Sequence, residues 1–181
     1  KSLFTRLDYI GLDNKTENYP TTPDIVGTLK NIPLKENSMD LILSVWVLDD
    51  IDNLKMAFEE IKRVLKEKGI YYAFESQHTN LHNQPHDYFR ITPNGFKYLC
   101  SNANLNYVDS IPIAGNFSSI AFSSILALRS LLEPLKVGFL LPFFYLPINL
   151  TYGIIDAFLI NTKKKSFVTN SVMYLHIAKN K

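Results

Sequence analysis

With one cysteine, Cys100, among its 181 residues, the chain cannot close an internal disulfide. That suits a reducing compartment. Charge is scarce as well: charged residues make up 20% of the chain and the net charge is +2. So small a balance leaves no electrostatic footprint for a nucleic-acid partner. The seven glycines stand apart, at 11, 27, 69, 95, 115, 138 and 153. None forms the clustered turn that lets a backbone close on a nucleotide, which disfavours a dinucleotide oxidoreductase. The residues given show no secretory pattern, internal repeat or low-complexity tract. The length is enough for one domain with a substantial core.

What the chain does have is concentrated in residues 39–75. Asp40 opens an apolar run from Leu41 to Leu48, interrupted at Ser44. Such a run predicts a strand buried on both faces, as in a parallel sheet. Asp49 and Asp50 stand at its carboxyl end, where open α/β sheets bind ligands. An amphipathic helix follows, with Asp52 as its expected cap. Leu54, Phe58, Ile61 and Leu65 recur at helical spacing, and Glu59 and Arg63 are placed to pair four residues apart. Lys68-Gly69 breaks the helix, and Ile70–Phe74 returns as a strand. Together these make a βαβ unit.

The stretch NIPLKENSMDLILSVWVLDDIDNLKMAFEEIKRVLKEKG closely resembles the "LPF.D.SFD.V....VLEH..D....L.E..RVLKPGG" stretch of class I S-adenosylmethionine-dependent methyltransferases, the type 11 group. YIGLD at 9–13 upstream and HNQPHDYFRITPNGFKYL at 82–99 downstream extend the likeness. The resemblance implies an α/β, Rossmann-like sheet, mostly parallel with an antiparallel carboxyl-terminal hairpin. S-adenosylmethionine is the implied cofactor. The family's glycine-rich first strand and turn have no counterpart here. An amino-terminally truncated or degenerate domain is therefore expected, with two strand edges unpaired where that strand would sit between 9–13 and 40–48.

The resemblance also nominates residues. Asp13 would hold the ribose hydroxyls, against the alternative of a turn residue beside Asn14. Thr28 stands where the family often has Asp to accept from adenine. Leu29 would offer its backbone N–H and an apolar side chain to the ring. Ser44 and Val45 lie under the expected cofactor. The acceptor side falls to the loop 76–91, whose His82, His86, Asp87, Tyr88 and Arg90 are candidates for orienting an acceptor or removing a proton. The alternative is structural: Asp87 pairs with Arg90 and Tyr88 packs. His78, His82 and His86 would share one face of a helix and suggest zinc, but Pro85 argues for irregular loop, and no metal is expected.

Further on, Thr92 caps a helix with Pro93 in its first turn, its stripe being Phe96, Leu99, Cys100 and Ala103. Asn104 takes the left-handed closing position. Strands are expected near Tyr107–Ile113 and Ser171–Ala178, with Val172, Tyr174 and His176 on one face of the latter. His176 reads as a side chain at a polar margin. Between these strands, residues 117–165 read as an apolar helical insertion within a single domain spanning 1–181. Val137–Ile155 carries no charge. Its length of about 19 residues could cross a bilayer, while Pro142, Pro147, Asn149 and Asp156 oppose a span. Lys163-Lys164-Lys165 follows, suited to a membrane flank.

The expected activity is methyl transfer to a small-molecule acceptor, hydrophobic or lipid-linked, by a cytoplasmic protein with peripheral membrane contact through 137–165. A catalytically inactive binding module of the same fold and a membrane-associated interaction protein stay open as alternatives.

Overall fold

The computed structural model describes residues 8–14, 22–161 and 171–181. Lys163, Lys164 and Lys165 lie outside the described residues. In chain order the elements are β1 (Leu12–Asp13), β2 (Ile25–Val26), β3 (Met39–Val45), α1 (Leu54–Val64), β4 (Leu65–Ser76), α2 (Pro93–Asn102), β5 (Leu105–Pro112), α3 (Asn116–Leu132), α4 (Leu141–Asn161) and β6 (Met173–Asn180).

They form two sheets. β1 and β2 pair in parallel, while a four-stranded sheet runs in the order β3-β4-β6-β5. β3 and β4 are parallel, and β6 runs antiparallel to both β4 and β5. This is the mostly parallel, Rossmann-like arrangement with an antiparallel end. Among the described residues no ladder joins the two sheets, and none pairs with the outer edge of β3.

The core lies on one face of the larger sheet. Leu54, Ala57, Phe58, Ile61 and Val64 of α1 are buried against it, as their spacing demands. Phe96 and Cys100 of α2 join them. Phe58 meets Tyr71 and Phe96 at ring separations of 5.9 and 5.5 Å, edge to face, the arrangement favoured by aromatic quadrupoles. Burial drives the Cys100 thiol up to about 12, which leaves it an inert core residue.

Several expectations change. β3 is not buried on both faces: Ser44 is buried and Ile42 half-buried, but Leu41, Leu43 and Val45 are about half exposed. Among the described residues no helix covers that second face. Asn53, not Asp52, caps α1 by accepting from Met56 N, because Asp52 is drawn to Lys30 at 2.6 Å. Arg63 pairs with Glu60 rather than Glu59, and its guanidinium also donates to the carbonyls of Ile32 and Leu34. It thereby staples the loop after β2 onto α1. The helix ends at Val64 and β4 starts at once, with Lys68 at φ 64° inside it. His176 is not at a margin. It is fully buried, stacked on Phe96 at 4.6 Å, with Nδ1 2.7 Å from Ser110 Oγ. Burial depresses it to about 4.

Local signals behave as read. Thr92 Oγ1 accepts from Gly95 N at 3.1 Å and Asn104 adopts φ 57°. On β6 Tyr174 and His176 point into the core, and Val172 just before the strand is buried on the same side.

Candidate active site at the strand tips

The carboxyl ends of β3 and β4 meet through backbone groups. Trp46, at φ 52°, turns the chain out of β3 and its N–H still reaches Phe74 O. The next two amides, of Val47 and Leu48, donate to Glu75 Oε1 at 3.4 and 3.3 Å. Glu75 is fully buried at the end of β4, and burial raises it to about 8. The sequence reading passed over it. Its signal was the inward phase Tyr71, Ala73, Glu75.

Asp49 follows in a 3-10 turn, Leu48–Asp50, and is 2% exposed. Its carbonyl accepts from Tyr88 N and Phe89 N at 2.8 and 3.2 Å. The loop after β4 is thus laced to the loop after β3. Burial, then the neighbouring Asp50, raises the Asp49 carboxyl above the usual range. Across from it stands His82, with Nε2 3.2 Å from Asp49 Oδ2 and 4.0 Å from Asp50 Oδ1. Its Nδ1 lies 3.1 Å from Asn80 O and 3.5 Å from Asp87 Oδ2. Both ring nitrogens face oxygens, which favours the imidazolium. The imidazole is accordingly raised, chiefly by the Asn80 carbonyl and then by Asp49 and Asp87.

Asp87 and Arg90 build the loop's frame. Two guanidinium nitrogens meet the Asp87 carboxylate at 2.5 and 2.8 Å, and this holds Asp87 well below the usual carboxylate range. Arg90 also donates to the carbonyls of Asn80 and Phe89. Asp87 in turn accepts from His82 N at 2.9 Å. His86 Nδ1 lies 3.0 Å from Tyr88 Oη at the exposed rim. The structure therefore gathers His82, Asp87 and Arg90 with Asp49 and Asp50 into one cluster, and sets His86 and Tyr88 beside it. Residues 77–91 contain no helix. Asp49, Asp50 and His82 offer three donor atoms within 4.8 Å of one another.

The cofactor candidates spread more widely. Asp13 ends β1, exposed. Thr28 opens a tight turn bridged to Asn31. The Leu29 side chain is buried in the core rather than open to a ring. Ser44 Oγ is 2.8 Å from Tyr71 Oη on the core face, so its hydroxyl is already engaged. Val45 lies on the uncovered face.

Residues 7–73 match the methyltransferase domain family. No match is found among curated proteins. Among solved structures, a chain from the Haloferax volcanii complex of the Trm112 methyltransferase activator with a protein named as a methyltransferase shares 23% identity over 50% of this chain and 43% of its own, at TM-score 0.44. A Galdieria sulphuraria protein named as a sarcosine dimethylglycine methyltransferase shares 17% over 86% and 57%, at 0.47. Phosphoethanolamine N-methyltransferase 2 of Haemonchus contortus, solved with S-adenosyl-L-methionine, shares 14% over 86% and 36%, also at 0.47. The chain spans roughly a third to three fifths of the length of these proteins. The chain is thus similar over residues 7–73 to the methyltransferase domain family, and its strands are ordered as a Rossmann-like sheet.

Proposed function

We propose that the protein transfers the methyl group of S-adenosylmethionine to an acceptor with an apolar body, at the carboxyl ends of β3 and β4. The observation that carries this reading is the His82 imidazole held between Asp49 and Asp87, on a loop laced to the end of β3. When bound, the cofactor supplies an electrophilic sulfonium methyl. Asp13 would hold its ribose. Thr28 and the Leu29 backbone would face its adenine, with Ser44 and Val45 beneath.

The protein's own share is alignment and one proton. Transfer to a sulfonium methyl is governed mainly by bringing the two reactants into line. An acceptor hydroxyl or ammonium must also lose a proton, and neutral His82 is placed to take it, with Asp49 stabilising the imidazolium that results. Arg90 fixes the loop through Asp87 and stands apart from the proton transfer. Because its neighbours raise the His82 pKa, the rate should climb as pH rises through a value above 6.5.

The test offers the protein methyl-labelled S-adenosylmethionine with a total lipid extract, and separately with a water-soluble extract. Label should enter the organic phase, and His82→Gln should lower that rate by about 100-fold or more. Label found solely in aqueous products would refute the apolar acceptor. No transfer to either extract would refute the activity.

A further inference from the structure

The helical pair α3 and α4 is built unlike the rest of the chain. Gly138–Leu159 forms 22 helical residues with none of its most apolar window buried. Phe139, Phe143, Leu146, Ile154 and Phe158 each stand more than 60% exposed. At about 1.5 Å per residue, 22 residues reach about 33 Å, the thickness of a hydrocarbon layer. The apolar surface goes all round α4 instead of forming one stripe. A surface-lying helix would have a charged face; a helix enclosed by lipid would not.

Several polar groups of the pair are satisfied from within. Asn149 Nδ2 donates to Tyr145 O at 2.9 Å. Ser123 and Ser130 hydroxyls donate to the carbonyls four residues back, Ser119 and Leu126. Such back-bonding lets a helix hydroxyl do without water. The acid of α4, Asp156, is 3% exposed and accepts from the backbone N–H groups of Gly115, Phe117 and Ser118 at the start of α3. A Cβ at Gly115 would collide with that carboxylate, so the glycine is what lets the two helices close. Arg129, Glu133 and Lys136 gather around the far turn, where Arg129 and Glu133 pair at 3.4 Å. The helices thus form a hairpin pinned at its root, with charges at its tip. A cleft of about 440 Å³ opens between them, lined by Phe122, Ile125, Leu126, Leu141 and Tyr145 among others.

The root lies at the same end of the sheet as the candidate site. Ser76, ending β4, pairs with Met173 at the start of β6, and Pro112, ending β5, pairs with Tyr174. His78, in the loop that carries His82, stands 3.1 Å from Ser123 Oγ of α3 and packs its ring against Phe122.

We infer that the α3–α4 hairpin inserts into a lipid bilayer and seats the carboxyl edge of the sheet against the membrane surface, so that a membrane-resident lipid is the methyl acceptor. The acceptor part rests on the proposed methyl transfer; the insertion stands on the hairpin alone. A lipid then passes from the hydrocarbon layer along the cleft of the hairpin to its root.

Flotation of the full chain on phosphatidylcholine vesicles tests the insertion without cofactor. The protein should float with the vesicles and stay with them in 1 M salt, roughly a Debye length of 3 Å, where surface ion pairing is lost. Phe143→Asp combined with Leu146→Asp should cut the floated fraction about tenfold or more, with the far-ultraviolet circular dichroism of the body retained. Three results would each overturn the inference: flotation confined to anionic vesicles at low salt, equal flotation of the double variant, or a stable vesicle-free dimer that hides the hairpin. Organic-phase labelling by the wild type should fall with the double variant, although neither residue belongs to the candidate site. Flotation with no label transferred would leave the insertion standing and sink the methyl-transfer reading by itself.

Discussion

The two faces of the four-stranded sheet are made of similar residues and meet different surroundings. On one face Tyr71, Ala73, Tyr174, His176 and Ala178 are buried, most of them under α1 and α2. On the other, Leu41, Leu43 and Val45 are about half exposed, and Ile70, Tyr72, Phe74, Leu175 and Ile177 are only partly buried. The apolar run of β3 is written for two covering layers, and the described residues supply one. Apolar content in a strand therefore states what the strand requires; the number of packed layers decides how much of it is met.

The comparison can be broken most sharply by deleting one residue from each face. Phe58→Ala, under the covered face, should cost about 3–5 kcal/mol in denaturant unfolding. Leu43→Ser, on the bare face, should cost no more than about 1 kcal/mol. Equal losses would mean that the second face is covered in solution.

A second comparison sets two buried titratable groups of the covered face against each other. Glu75 is raised to about 8 from an ordinary 4.5. The folded state then holds its proton more tightly, so the contribution is complete below pH 4.5 and is lost as pH climbs toward 8. Glu75→Gln should remove that loss, gaining about 2–4 kcal/mol over the wild type near pH 8.5. His176 is lowered to about 4 from 6.5. Here the unfolded chain holds the proton more tightly, so stability is complete above pH 6.5 and falls by up to about 3 kcal/mol toward pH 4. His176→Gln should flatten that acid limb. Thermal melts across pH 4–9 read both slopes.

The smallest contrast lies among the ion pairs. Arg63→Ala removes the Glu60 pair and two carbonyl contacts to the loop after β2. It should cost about 1–2 kcal/mol. Asp40→Ala breaks only an exposed pair with Lys66 and should change stability by about 0.5 kcal/mol or less. Chemical denaturation of the two variants separates them.

What could be read from the sequence follows the same division between near and far. The Thr92 cap, the stripe of α2, the Asn104 turn and the alternation of β6 depend on neighbours within a few residues, and each was legible. The α1 cap shifted from Asp52 to Asn53 because Lys30 competes from 22 residues away. Glu75 is not singled out in the sequence, and Asp156 reads there only as a group opposing a span, because their donors, the amides of Val47 and Leu48 and those of Gly115, Phe117 and Ser118, come from other elements. In the candidate site, the resemblance pointed to the loop 76–91 and its His82, Asp87 and Arg90. That Asp49 would be their partner was not visible until the two loops were laced together. Ser44 and Leu29, positions that the family pattern marks for the cofactor, have side chains that also pack on the core face.

Calorimetric titration of the full chain with S-adenosylmethionine tests the central claim most directly. Saturable binding at one site per chain, weakened about tenfold or more in Asp13→Ala through loss of a charged hydrogen bond to the sugar, is the predicted result. Absence of binding, or binding indifferent to Asp13, would contradict it.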